Sequence, residues 1–470
     1  MNSLRNVHIA HFLLEQGASL NAQDWIGNTA LHYAIHNDRA DAVELLLQYG
    51  ADPRIQNEQG DDAFRTVSLL GKPAILNVLI QHSWADVSIQ CQIESHELMG
   101  ATFVDGMGDI QGALNEWNNA MLMRRKHKMM LSSDDVIPPR SVYGKQVEAI
   151  TFEKFLPLEY TCDHERIHNQ SLLIRERLLG LEHIATFSAL LKRAASLADH
   201  RKYKRAAHTW CYAAKLRHHH GDRVAKDVIG AAQSMCTMFI EMDEEYMFDG
   251  ADDYFCYKDA YSVFRVLCDE VEAAFQADAT NQRDQPFCIL VRYTLHLMSL
   301  LMNVSSKDED VVFMRRVKQL VQKDVRLRDG STMLHMAMDP FSNQLGKADK
   351  SYFPSDSIAE LLLSCGANVN ARDDRGNTPL HWFMDRLAAT ADLEPYVAMM
   401  LIDQGAHLDA RNVDGVLACD PLRRIPEFQN QIPHKNAMGL KCLAARAIRA
   451  HNIPYMSEVP EALHEFIALH

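Results

Sequence analysis

Apolar residues recur near both ends of this chain as pairs of short helical stripes, each pair opened by a polar turn and closed by Gly-Ala. Ala30, Leu31 and Ala34 mark one stripe and Val43, Leu46 and Leu47 the next, at the spacing of helices that bury one face. Gly50 follows the second stripe where a left-handed cap is needed, a conformation glycine adopts without steric cost. The pattern then returns. Turn glycines Gly27 and Gly60, in DWIGNTALHYA and NEQGDDAFRTV, lie 33 residues apart. The second unit is fainter, because Asp62-Ala63-Phe64-Arg65 stands where the first has Thr-Ala-Leu-His. Towards the C-terminus the same pattern reappears in RDGSTMLHMAMD (328–339), DRGNTPLHWFMD (374–385) and, weakly, VDGVLACDPLRR (413–424). Here Gly330, Gly376 and Gly415 are 46 and 39 residues apart, one 33-residue unit plus insertions of 13 and 6. The polar stretch 343–356, with Gly and Pro, accounts for the first insertion as a surface loop.

The 33-residue period, the T-x-L-H helix start and the L-L-L-x-x-G-A helix end resemble the ankyrin repeat. Between the two groups the period changes. Ala113, Trp117, Ala120 and Arg124 are matched by Ala206, Trp210, Ala213 and Arg217, 93 residues later. That spacing resembles the second helix of a tetratricopeptide repeat, where small residues let helices approach and an aromatic fills the groove. The segments 94–105 and 187–203 are predicted as the preceding helices, while 223–325 reads as amphipathic helices without a period. The expected fold is therefore an all-α solenoid. It has N-terminal ankyrin repeats (1–92, the first incomplete), tetratricopeptide-like helices (93–325), a second ankyrin group with insertions (326–434) and a helical tail (435–470). Such arrays present extended binding surfaces rather than catalytic clefts.

Composition narrows the function without changing that picture. Of 470 residues, 47% are hydrophobic and 23% charged, too apolar for a disordered chain. A net charge of −14 argues against a nucleic-acid binder, and no apolar run approaches the length of a membrane span. Ten cysteines, no two closer than twelve positions, form no C-x-x-C pair and read as buried hydrophobes of a reducing compartment. The expectation is a soluble protein of the cytoplasm or nucleus. Catalytic, cofactor and metal sites are not expected. His218-His219-His220 cannot share one helix face, and the acidic stretch 241–259 lacks calcium-loop spacing. His32 and His381 belong to the T-x-L-H turn and are assigned a structural role.

The tail carries the functional signal. Leu440, Leu443, Ala444, Ala447 and Ile448 fall on one helical stripe, with Lys441, Arg446 and Arg449 off it. A second short helix is predicted after Val459-Pro460, with Val459, Leu463 and Phe466 facing one way. Periodicity alone is equally consistent with two helices that cap the open end of the ankyrin group. The first helix, however, looks like the elongin-binding box of ubiquitin-ligase receptors, with Leu440 as the plug and Ala444 where Cys is frequent. The second is similar to the cullin-2-selecting box, through Val459, Pro460, Leu463 and Phe466. With ELMGATF (97–103), LIRERLLG (173–180) and GANVNARDDRGNTPLH (366–381), the order of segments resembles the fem-one (feminization) family.

That resemblance implies a non-catalytic substrate receptor of a cullin-2 ubiquitin ligase. Its implied partners are elongin B, elongin C, cullin-2 and proteins bearing C-terminal degrons, often ending in Arg. Compared with the family, residues 7–16 read as the outer helix of a repeat whose first half is missing, so N-terminal repeats and the degron pocket are expected to be lacking. Asp24, Asp38, Asp41 and Asp52 are either an electrostatic lure for an Arg-ended peptide or ordinary solvated residues. Two other readings stay open: a scaffold whose tail only caps the last repeat, and a receptor that docks the ligase but captures no substrate.

Overall fold

The computed structural model describes residues 2–82, 88–151, 153–155, 157, 163–218, 226–245, 257–277, 285–304, 307–343, 353–389, 396–420, 440–451 and 453–469. Among them the secondary structure is helical, with isolated β-bridges Arg326–Thr332 and Arg411–Leu417. The chain divides into two compact units, Met1–Ser196 with Lys215–His220, and Leu197–Ala214 with Gly221–His470.

The first unit opens with α1 (Asn2–Glu15), followed by two helix pairs, α2 (Ala30–His36) with α3 (Ala40–Gln48), and α4 (Ala63–Leu69) with α5 (Pro73–His82). Inner helix α2 stacks on α4, while the outer helices stack as α1 on α3 on α5. Of the stripes read from the sequence, Leu31, Ala34, Val43 and Leu46 are buried in one core, Leu47 is half-buried and Ala30 is exposed, and Ile35, Phe64, Val67, Leu76 and Leu79 complete that core. Gly50 has φ +91°, as its cap requires. Gly27, at φ +77°, is pinned twice over, because a Cβ there would meet Glu58 N at 2.8 Å and Asn57 Cα at 2.9 Å in the next turn.

Next come α6 (Ile89–Thr102), α7 (Ile110–His127), α8 (His164–Leu179) and α9 (Ile184–Asp199). Helix α6 begins five residues earlier than predicted and ends in a π-helical turn, Phe103–Met107. The helix predicted over 187–203 instead stops at Asp199. Arg201 there adopts φ +58°, and Arg201 N–H bonds back to Ala198 O. Ala113, Trp117, Ala120 and Arg124 are all buried, and α6 packs against both α7 and α8.

The second unit contains most of α10 (Tyr203–His218), then α11 (Lys226–Glu245), α12 (Tyr257–Ala277), α13 (Gln285–Val304) and α14 (Lys307–Gln322). Ala206, Trp210 and Ala213 are buried in α10; the side chain of Arg217, residues His219 and His220, and most of the acidic stretch lie outside the described residues. Ankyrin-type pairs follow: α15 (Met333–Ala337) with α16 (Asp356–Ser364), and α17 (Pro379–Ala389) with α18 (Tyr396–Asp403). Again inner packs on inner and outer on outer, α15 on α17 and α16 on α18. The insertion predicted at 343–356 falls mainly on residues outside the description. The tail forms α19 (Leu440–Ala450), a 3-10 turn at Glu461–Leu463 and α20 (His464–Leu469), and α19 and α20 pack on each other. No helix among the described residues is long and apolar enough to cross a membrane.

Candidate functional site

Each T-x-x-H start does the same mechanical work. The backbone N–H of Thr332 donates to His335 Nδ1 at 3.1 Å, which leaves Nε2–H to donate to Asn377 O in the next repeat at 3.0 Å. His32 and His381 repeat the arrangement, reaching Asp61 O at 3.0 Å and Val416 O at 3.2 Å. These imidazoles are inter-repeat struts, as the sequence implied. Burial pushes His335 down to about 4 and His381 downward, so both are neutral donors. Where Arg65 replaces the histidine, its guanidinium reaches Gly60 O and Leu178 O instead, and His183 Nε2 lies 3.0 Å from Asp61 Oδ1. The end of the first repeat group is thereby tied to the turn between α8 and α9.

The acidic residues weighed as a lure are engaged locally. Asp24 accepts the Tyr33 hydroxyl at 2.6 Å, Asp38 pairs with Lys72 at 3.0 Å, and Asp41 and Asp52 pair with Arg39 and Arg54 at 2.9 Å each. That geometry favours ordinary ankyrin surface. In the second unit, a groove of about 650 Å³ runs along the ankyrin group past Asp329, Asp373, Trp382, Asp385 and Asp420. Asp373 sets its floor by accepting Trp382 Nε1–H at 3.0 Å and the Arg375 and Asn377 N–H groups.

A buried polar cluster ties α6 to α7 and α8. Glu97 on α6 takes both arms of Arg124, at 2.6 and 3.0 Å, and also Arg177, which in turn holds Glu148. Burial would raise the Glu97 carboxyl, but the two guanidiniums overcome it and hold it below its usual range. Sequence spacing placed Arg124 correctly but gave no sign of its partner. Burial pushes the Cys91 thiol up to about 12 and those of Cys236 and Cys268 well above their usual range. Among the described residues no group of three or more His, Cys, Asp or Glu could hold a metal ion.

The tail is where the sequence-predicted site residues meet. On α19, Leu443 is 49% exposed and Ala444 and Ala447 are exposed, Ile448 is half-buried, and Ala445, off the predicted stripe, is buried. The Leu440 side chain lies outside the described residues. Val459 is half-buried, and Pro460 and Leu463 are exposed. Pro460 caps the 3-10 turn rather than opening the α-helix. Phe466 turns elsewhere. Its ring meets the edge of His407, in the last described ankyrin repeat, at 5.3 Å and 75°. His464 fixes the turn through Nε2 to Val459 O at 2.9 Å and an edge contact with Tyr455. His407 gave no sign in the sequence, because it lies in the turn after α18, between the buried Ala406 and Leu408 and outside any helical stripe.

A family model described as ankyrin repeats (3 copies) matches residues 2–57, and one described as ankyrin repeat matches 329–374. Protein fem-1 homolog A of Bos taurus is 30% identical over 496 residues, spanning 97% of this chain and 74% of that protein. The chain belongs to the fem-1 family. Protein fem-1 homolog C of Xenopus laevis is 31% identical, over 86% of this chain and 64% of its own length. Protein fem-1 homolog A of Homo sapiens is 29% identical, over 97% and 75%. Fem-1 kinship and the stacked repeats together make this a repeat-built protein-interaction adaptor.

Proposed function

We propose that this fem-1 chain is a non-catalytic substrate receptor of a cullin-2 ubiquitin ligase. It docks elongin B and C through α19 and cullin-2 through the turn and helix that follow. Its cargo on this reading is proteins with C-terminal degrons of the Arg-ended type, met in the cytoplasm or nucleus. The four segments 1–92, 93–325, 326–434 and 435–470 then divide the labour between capture and docking.

The observation that carries the reading is the outward apolar stripe of α19. A helix that only capped a repeat would turn Leu443, Ala444 and Ala447 inward, whereas these three face solvent. Leu440 and Ile448 complete the elongin contact, and Val459, Pro460, Leu463 and Phe466 make up the cullin-2 box. The substrate-binding residues stay unassigned.

The test is co-elution of the full chain with the elongin B–elongin C heterodimer. Leu440→Asp should abolish it while the repeats stay folded, and unchanged co-elution contradicts the proposal. Pro460→Ala combined with Val459→Asp should reduce cullin-2 capture and leave elongin bound. The contact of Phe466 with His407 favours a second reading, a capping scaffold without ligase docking. On that reading, deleting residues 435–470 lowers thermal stability sharply and elongin never binds.

A further inference from the structure

We infer that Phe466 and His407 form a clasp that seats the tail on the last described ankyrin repeat, so that Phe466 anchors the tail internally and the outward cullin-facing surface is Pro460 with Leu463. The cullin half of this inference rests on the docking reading above; the clasp half stands without it.

Three observations divide the tail into two faces. One face points inward. Phe466 is half-buried with its ring on the edge of His407, and Ile467 and Ala445 are buried. The other points outward, with Leu443, Ala444, Ala447, Pro460 and Leu463 exposed. Between them, His464 clamps the Val459 carbonyl at 2.9 Å, which fixes how the proline turn presents Leu463. An aromatic edge contact contributes beyond its buried area and demands one relative orientation. Such a contact sets the angle of a short helix that is too small to be stable alone. Capping and docking are therefore not rivals: one face of the tail caps while the other stays available.

His407 can be altered without dismantling its repeat. That repeat is held at this position by the His407 backbone N–H donating to Asn370 Oδ1 at 2.9 Å, which any side chain preserves. His407 is thus a positioning residue, and its effect on the tail is exerted through the ring of Phe466.

The experiment follows amide hydrogen exchange over residues 440–469 in the full chain, with cullin-2 capture in the presence of elongin B and C as a second readout. His407→Ala and Phe466→Ala should each speed exchange in α20 by about two- to tenfold. Combining them should add nothing further, because they break the same contact, and His407→Phe should restore slow exchange by returning a ring edge. Leu463→Asp should leave exchange unchanged while cullin-2 capture falls. Exchange untouched by His407→Ala, or additive effects in the double variant, overturns the clasp. If Leu463→Asp loosens the tail as much as Phe466→Ala does, the division into faces is wrong. A wild-type chain that captures no cullin-2 contradicts the docking reading, and the exchange results then decide the clasp alone.

Discussion

At the scale of single residues, the inter-repeat histidines make the second unit sensitive to acid. In an unfolded chain His335 titrates near ~6.5, and in the fold at about 4, because burial disfavours the imidazolium. His296, buried and close to Ser342 O, is likewise lowered to about 4. Between those values the unfolded state binds more protons. The stability from a neutral buried histidine is therefore complete above pH ~6.5 and drains away as pH falls towards 4, by on the order of 3 kcal/mol per group. Denaturant unfolding at pH 7.5, 6 and 5 should show this slope, and His335→Gln should flatten it, at a fixed cost in stability from the weakened strut. An unaltered slope in that variant contradicts the neutral-strut account. The T-x-L-H motif was legible because it is local. The Arg65 substitution was legible only as a departure, since its purpose lies at Leu178, 113 residues away.

At the scale of elements, the ankyrin pairs were readable because each helix buries a single face, which leaves a period in the sequence. Helix α6 was misread at both ends for the opposite reason. Ile93, Ser95, Glu97, Leu98, Met99, Gly100, Ala101 and Thr102 are all buried, so polar residues occupy core positions and no stripe emerges. Its contact with α7 is close enough that a Cβ on Gly100 would lie 2.5 Å from Trp117 Nε1, an atom already donating to Glu97 O. Gly100→Ala should therefore destabilise the first unit by about 1–3 kcal/mol, the usual cost of overpacking. Thermal unfolding monitored by circular dichroism would detect the loss, and an unshifted midpoint would show that the helices can slide apart freely. The tail helices were legible as stripes, but which side faces inward was not. Leu443 and Phe466 look alike in a periodic pattern, but Leu443 is exposed while Phe466 is half-buried against the ring of His407. Leu443→Asp, on the exposed side, should leave the melting temperature within about 1 °C, as surface changes commonly do. A large drop would place Leu443 in a core instead.

For the whole molecule, two compact helical units, each carrying stacked ankyrin repeats, offer extended surface, and the −14 charge suits basic partners. The two groups of ankyrin repeats were visible in the sequence because repeats announce themselves by self-similarity. The cargo was not, because a binding face on a solenoid is assembled from turns dozens of residues apart, which leave no local motif. The proposal of a ligase adaptor can be put to one direct measurement: the affinity of the full chain for purified elongin B–elongin C, by titration calorimetry, for wild type and Leu443→Asp. A stoichiometric complex that the aspartate weakens by at least about tenfold, with both proteins equally folded, is the predicted result. The absence of binding by the wild-type chain, or equal binding by both, would contradict the account.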